Sequence, residues 1–191
     1  MSESLAESAE SLSESFGSAQ FGDLRLTKRL VKIVERLSTR PNMSIPAATD
    51  GRAEMEAAYR FFDNSKATPE AIMAPHVSAT RERIRQTEVN LLVQDTTEVD
   101  ITRPEQQVLG AGPIECESRV GASYHPLVAF DATGLPLGTM WSRCGAREKI
   151  ETGLTAAEKE RKRKTTPIEE KESLRWLEGI RAARDVAQAC P

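Results

Sequence analysis

The sequence predicts an α+β protein, in which a helical region over residues 1–86 is followed by a small antiparallel sheet and a helix over residues 87–191. Three observations lead to this prediction. Apolar residues recur at helical spacing up to Gln86, short extended segments begin near Asn90, and a helical pattern returns after Pro167. The 191 residues, of which 39% are hydrophobic and 29% charged, are enough for one sizeable domain or two small ones.

Four helices are predicted in the first region. An amphipathic helix runs between Leu5 and Phe16, with its glutamates on the other faces. Asp23 is a suitable N-cap for the second helix, which ends near Leu37. The third is "DGRAEMEAAYRFFDN", opened by Thr49 or Asp50, and the fourth begins at Pro69. The adjacent phenylalanines of the third helix are assigned to the core.

The second helix carries a row of cations, although the whole chain has a net charge of -3. Their spacing of i, i+3, i+4, i+7 and i+11 places them along one face of a helix. These residues are Arg25, Lys28, Arg29, Lys32 and Arg36. Such a stripe can follow a phosphate backbone, but on its own a charged helical face is more often a solvated surface.

Three extended segments follow, "NLLVQDTT", "SYHPLVAFDA" and "GLPLGTMWSR", and they predict three antiparallel strands. Residues 131–134 between the last two are predicted to form a hairpin turn. Residues 103–119 are predicted to be a loop, and residues 143–166 an exposed linker. The segment "IEEKESLRWLEGIRAARDVAQ" after Pro167 predicts a helix that packs on the sheet.

An aspartate, Asp95, stands where the first predicted strand ends. A rigid strand fixes the position of a carboxylate, and the open edge leaves room for a hard divalent cation with its waters. A turn residue that bonds its own backbone is the alternative interpretation. The three cysteines are far apart and form no C-x-x-C pair, so neither a disulfide framework nor a zinc site is expected. No apolar run is long enough to span a bilayer, and we expect a cytoplasmic protein.

The motifs occur in a recognisable order along the chain. They are "FGDLRLTKRL", "AAYRFFDN", "LLVQDTTEVD", "LGAGPIECESRVGASYHPLVAFDATGLPLGTMW" and "IEEKESLRWLEG". In this colinear order the sequence resembles the N-terminal portion of bacterial cut-and-paste DDE transposases of the Tn-five type, within the insertion-sequence-four group. The resemblance covers nearly the whole chain.

The resemblance implies that residues 1–86 form a helical domain that binds double-stranded DNA at transposon ends. It implies that residues 87–191 form the N-terminal part of a ribonuclease-H-like catalytic core, in which three acids hold two divalent cations, Mg²⁺ or Mn²⁺. Asp95 matches the first acid. Arg25, Arg29 and Arg60 match basic positions of the family, and the helical stripe adds Lys28 and Lys32 as DNA contacts.

The second and third acids of the family lie in segments that have no counterpart here. Asp100, Asp131 and Asp185 fall outside the matching positions, so they are not assigned to a metal. We therefore expect a transposase fragment that is inactive alone and needs a further segment or a second chain. The alternative is a non-catalytic regulator that competes with a complete transposase for DNA. A phosphatase of the haloacid type is less suitable, because Thr97 stands where that pattern needs an acid.

Overall fold

A computed structural model describes residues 13–102, 109–114, 116–147 and 155–190 of the chain. The chain divides into two compact units, Met1–Glu82 and Arg83–Pro191. Most of the first predicted helix falls within residues 1–12 and so lies outside the described residues; residues 13–15 are helical. The assignment of domains to residues 1–86 and 87–191 stays a prediction. None of the helices in the described ranges is long and apolar enough to cross a membrane.

The first unit is helical, as predicted. After the helical residues 13–15, its described helices are α1, Leu24–Thr39; α2, Ile45–Ala48; α3, Arg52–Phe62; and α4, Pro69–Arg85, which reaches into the second unit. Asp23 caps α1 by accepting a hydrogen bond from the backbone N–H of Arg25 at 2.9 Å. The predicted cap of α3 was wrong, because Gly51, at φ of 100°, occupies that position, a left-handed conformation that glycine adopts without strain.

The apolar face of α1 packs against α3 and the segment before α1 to form the core of the first unit. Its buried members include Phe16, Phe21, Leu30, Ile33 and Phe61. The rings of Phe21 and Phe61 meet edge to face, with centroids 5.6 Å apart. Phe61 is 1% exposed, but Phe62 is 45% exposed, so only the first of the two phenylalanines lies in the core.

The second unit contains an antiparallel sheet of five strands rather than the predicted three. They are β1, Asn90–Gln94; β2, Thr97–Asp100; β3, Gly112–Ile114; β4, Cys116–Asp131; and β5, Pro136–Gly145. The long β4 is the central strand: β1 and β2 pair along one of its edges, and β3 and β5 pair along the other. The hairpin between β4 and β5 was predicted correctly, because Asp131 accepts hydrogen bonds from the backbone N–H groups of Thr133 and Leu135.

Two predicted irregular segments contain regular structure. The segment predicted as a loop contributes β3 and the start of β4, although residues 103–108 lie outside the described residues. The predicted linker contains α5, Ala156–Thr165. Thr155 and Glu158 form a reciprocal capping box at its start, which stabilises a helix that has no apolar face.

The final helix, α6 (Leu174–Ala189), packs on β1, β4 and β5, as predicted. It begins later than expected, after a 3₁₀ turn at Ile168–Glu170. Gly179 gives α6 its close approach to the sheet, because a Cβ there would lie 1.9 Å from the Oε1 atom of Gln94. The opposite face of the sheet exposes Leu91 and Val93, which are 50% and 49% exposed.

Candidate functional site

The structure divides the predicted cationic stripe of α1 into two parts with different partners. The C-terminal part consists of Lys32 and Arg36. Lys32 Nζ lies 2.6 Å from Oε1 of Glu54, and Arg36 Nη2 lies 2.5 Å from Oδ2 of Asp50. Arg36 Nε is also 3.3 Å from Glu54 Oε2. These cations therefore hold α1 against α3 and the turn before it.

Glu54 is the centre of this ion-pair network, which we call the Glu54 network. Its side chain is only 9% exposed, and it also accepts a hydrogen bond from the backbone N–H of Asp50 at 2.5 Å. The hydrogen bond from Lys32, followed by that from the Asp50 amide, lowers the pKa of Glu54 from 4.5 to about 2. The carboxylate therefore stays ionised at every pH at which the first unit is expected to work.

The N-terminal part of the stripe consists of Arg25, Lys28 and Arg29, and we call it the N-terminal stripe. Arg25 is 91% exposed, and its guanidinium pairs with Asp23 at 2.9 Å. This hydrogen bond raises the pKa of Arg25 and lowers that of Asp23. Lys28 is exposed and Arg29 half-exposed, and neither makes an ion pair or hydrogen bond with a residue that the structure describes. These two cations remain available to an external anion.

Arg60 lies on a different helix. It occupies the last turn of α3, where a cation also interacts favourably with the helix dipole. Its side chain is exposed, and within the described ranges no ion pair joins it to α1. The structure therefore leaves Arg60 accessible without connecting it to the N-terminal stripe.

Asp95 directly follows β1 and is exposed. Its Oδ1 accepts a hydrogen bond from the backbone N–H of Thr96 at 2.7 Å, which is a local turn interaction. The flanking side chains of Gln94 and Thr96 point to the other face of the sheet, since neighbouring residues alternate in an extended chain. Asp95 therefore points to the face of the sheet opposite to the side chains of its two neighbours.

Those two neighbours are fixed by a buried histidine. His125, on β4, is 0% exposed; its Nε2 lies 3.1 Å from Gln94 Oε1 and its Nδ1 lies 2.7 Å from Thr96 Oγ1. Because an amide oxygen only accepts, Nε2 carries the proton, and Nδ1 accepts from the threonine hydroxyl. Burial, and then the nearby charge of Arg175, lowers the pKa of His125, while Asp95 acts in the opposite direction. The ring is therefore neutral and positions the end of β1.

The surroundings of Asp95 do not make up a metal site by themselves. Across the described residues, no three histidine, cysteine, aspartate or glutamate side chains come together in a way that could hold a cation. Asp100 is engaged with Arg119 at 2.8 Å, and Asp131 is engaged in the β4–β5 hairpin. Bonds from Thr102, and after them from Arg119, lower the pKa of Asp100 to about 2. Mg²⁺ needs more oxygen ligands than Asp95 offers, so the residues present do not fit a complete site.

Sequence reasoning missed the acidic partners of the stripe. Asp50 was considered only as a residue that opens the third helix, and Glu54 was included in that helix without a role, because the helical pattern of α3 does not show which residue faces α1. The repeated pairing of a cation on α1 with an acid at 50 or 54 is a tertiary contact. A local sequence signal would therefore not have found it.

A comparison with protein families gives a match in the N-terminal region. Residues 8–67 match the family model described as transposase DNA-binding. The matched stretch contains the N-terminal stripe, the Glu54 network and Arg60, whereas Asp95 lies beyond it. The match supports the interpretation of the N-terminal region as the DNA-binding region of a transposase, with DNA as its partner.

Proposed function

We propose that the first unit binds double-stranded DNA at transposon ends, as part of a transposase of the Tn-five type. The observation that carries this proposal is a pair of cations, Lys28 and Arg29, that have no partner among the described residues. They lie on a capped helix within the stretch that matches the transposase DNA-binding family. Phosphate contacts supply most of the non-specific affinity for DNA, and lysine and arginine make them.

The spacing of the N-terminal stripe suits a phosphate backbone. A helix rises 1.5 Å per residue, so the four steps from Arg25 to Arg29 span about 6 Å. One strand of B-DNA carries a phosphate about every 3.4 Å along the axis, so this span covers roughly two phosphates. Arg25 is included because its side chain is 91% exposed, and a surface ion pair such as the one it makes with Asp23 is weak enough to be exchanged for a phosphate.

Arg60 and Lys32 were both predicted as DNA contacts, and the structure supports them differently. Arg60 is exposed on α3 within the matched stretch, and we retain it as a DNA contact. Lys32 stays a prediction, because a phosphate would have to compete with Glu54, which lies 2.6 Å from its amine.

For the second unit, we propose that Asp95 contributes the first acidic ligand of a divalent metal site, Mg²⁺ or Mn²⁺, in a ribonuclease-H-like core. Its fixed position at the end of β1 and its exposure support this role. The remaining ligands would have to come from another segment or from a second chain, since one carboxylate is too few to hold Mg²⁺. The proposal is limited to Asp95 as one ligand.

A binding experiment tests the first part. The full chain is titrated with fluorescent duplexes that carry the ends of the surrounding element, and with scrambled duplexes of the same length, at several salt concentrations. We expect the logarithm of the affinity to fall linearly with the logarithm of the salt concentration, and the end duplexes to bind more tightly. Affinity that is independent of salt would reject the phosphate contacts, and equal affinity for both duplexes would reject end recognition.

A cleavage experiment tests the second part. The chain is incubated with an end duplex and Mg²⁺ or Mn²⁺, alone and together with a chain that supplies the missing acids. We expect no nicking by the chain alone, and nicking by the mixture that is lost in Asp95→Asn but kept in Asp185→Asn, an exposed aspartate on α6. Nicking that survives in Asp95→Asn would remove Asp95 from the proposed site.

A further inference from the structure

A second cationic feature lies in the second unit, in a cavity of about 100 Å³. The cavity is formed where β4 and β5 meet the start of α6, and it has room for several water molecules. Its chemically important lining residues are Ser123, Arg143, Arg147, Lys171, Glu172 and Arg175. We call it the Arg175 pocket. Four cations and one carboxylate thus line the same small space.

Two of the four cations have carboxylate partners. Arg143 forms an ion pair with Glu178 of α6. Arg147 Nε donates to Oε1 of Glu172 at 2.7 Å, and this hydrogen bond raises the pKa of Arg147. These two ion pairs connect the end of β5 to the region where α6 begins, so Arg143 and Arg147 have a structural role.

The other two cations have weaker contacts: Arg175 is in one long ion pair, and Lys171 is in none with a residue that the structure describes. Arg175 is only 17% exposed, yet its buried Nε has no hydrogen-bond partner in the part of the chain that the structure describes. Its Nη2 is 3.9 Å from Glu172 Oε2, and its Nη1 is 3.5 Å from Ser123 Oγ, so both contacts are at the outer limit. Lys171 is half-buried and makes no ion pair with a described residue.

A guanidinium whose buried Nε is unsatisfied and whose other contacts are long favours an external anion. A buried donor without an acceptor destabilises the folded state, and the planar fork of arginine matches two oxygens of a phosphate. Lys171 adds a point charge at the same cavity. The Ser123 hydroxyl donates to the Gly145 carbonyl at 3.0 Å, and its oxygen accepts only a long hydrogen bond from Nη1 of Arg175, at 3.5 Å, which leaves Nε unsatisfied.

We infer that the Arg175 pocket binds a phosphate group of the nucleic-acid backbone, through Arg175 and Lys171. The choice of nucleic acid as the source of the phosphate rests on the proposed function, whereas the preference for a phosphate rests on the pocket itself. The second unit thereby acquires its own DNA contact, separate from the N-terminal stripe and from Asp95.

The phosphate itself is tested by thermal unfolding of the full chain. The two tryptophans, Trp141 and Trp176, both belong to the second unit, so tryptophan fluorescence follows that unit alone. We expect the midpoint to rise with sodium phosphate relative to sodium chloride of equal ionic strength, because a ligand that binds the folded state stabilises it. Lys171→Ala and Arg175→Gln should abolish the rise, and Arg181→Gln, an exposed cation on the same helix, should keep it.

The source of the phosphate is tested with a DNA duplex. Each lost phosphate contact lowers the slope of log affinity against log salt by about 0.9, so Lys171→Ala should have a slope lower than the wild type by about that amount. Lys171 lies at the rim, and Lys171→Ala is informative if Arg175→Gln fails to fold. An unchanged slope with a lost phosphate effect would overturn the DNA source in favour of free phosphate. Wild-type behaviour of both variants in both assays would overturn the site.

The two proposals fail separately. If the chain does not bind DNA but phosphate stabilises the second unit through Arg175, the proposed function fails and the anion site stands. If DNA binding depends on Lys28 and Arg29 but not on Lys171, the proposed function stands and the inference about the Arg175 pocket fails.

Discussion

The two halves of one helix face carry the same kinds of residue and have different structural partners. Lys28 and Arg29 meet no carboxylate among the described residues, whereas Lys32 and Arg36, one turn further along α1, are paired with Glu54 and Asp50. A cation that already has a carboxylate partner gains less from a phosphate, because it has to exchange one anion for another. The spacing of the cations indicates which of them are candidate DNA contacts. The acids in and before α3 determine which of these candidates are already paired.

The largest effect is expected for the double variant Lys28→Ala/Arg29→Ala. If each residue contacts one phosphate, the salt slope of DNA binding falls by about 1.8, which corresponds to roughly 30-fold weaker binding at 0.15 M salt. Fluorescence anisotropy with a short duplex measures both quantities. The matched control is Arg81→Ala, an exposed arginine of α4 that should leave the slope unchanged. A double variant with the wild-type slope would show that this part of the N-terminal stripe is only a solvated surface.

The next largest effect concerns the Glu54 network. Glu54→Ala removes the partner of Lys32 and Arg36 and the acceptor of the Asp50 amide, so we expect the first unit to lose about 1–2 kcal/mol of stability. The value is moderate because Lys32 is 47% exposed and remains solvated. Chemical unfolding followed by far-UV circular dichroism measures the change, with Glu56→Ala as the control, since its pair with Arg52 lies within α3. Equal stabilities of the two variants would mean that the Glu54 network does not hold α1 to α3.

The pH dependence of the same network gives a smaller and more specific signal. The pKa of Glu54 is about 2 in the folded chain, against 4.5 for a glutamate without these contacts. The contribution of Glu54 to the stability of the first unit is therefore fully present above pH 4.5 and is lost as the pH falls toward 2. We expect the stability difference between the wild type and Glu54→Gln to shrink across that window. Hydrogen exchange of the α1 amides measures it. A difference that stays constant from pH 5 to pH 2.5 would contradict the lowered pKa.

The sequence was sufficient to predict most of the helical unit and the outline of the sheet. Asp23 as a cap and the buried face of α1 follow from local patterns, and the structure confirms both. The strands β2 and β3 were missed because each is short and pairs with β4 at a distance in the chain. The helix α5 was missed because it has no apolar face to reveal a period.

The candidate sites, like the secondary structure, were predictable only where the signal is local in the sequence. The positions of Asp95 and of the cations of α1 could be predicted, because a strand end and a helical spacing are visible in the sequence. The roles of Glu54, His125 and Arg175 could not, because each depends on contacts between separate elements: α3 with α1, β4 with β1, and α6 with β4. Local sequence therefore indicates where a side chain projects, and tertiary packing determines what it meets.

The smallest expected effects come from two lysines one turn apart, and they separate the two halves of the stripe most directly. Lys28→Met and Lys32→Met remove the same charge from the same helix and introduce the same side chain, so their helix propensities are matched. Lys28→Met should lower the salt slope of DNA binding by about 0.9 and change stability by less than about 0.5 kcal/mol, since its amine has no described partner. Lys32→Met should leave the slope nearly unchanged and reduce stability by about 0.5–1 kcal/mol, since it breaks a half-exposed ion pair with Glu54. The same two assays, anisotropy and chemical unfolding, apply to both variants. If Lys32→Met lowers the slope as much as Lys28→Met does, the phosphate displaces Glu54 from Lys32 on binding, and the contact surface extends along the whole stripe.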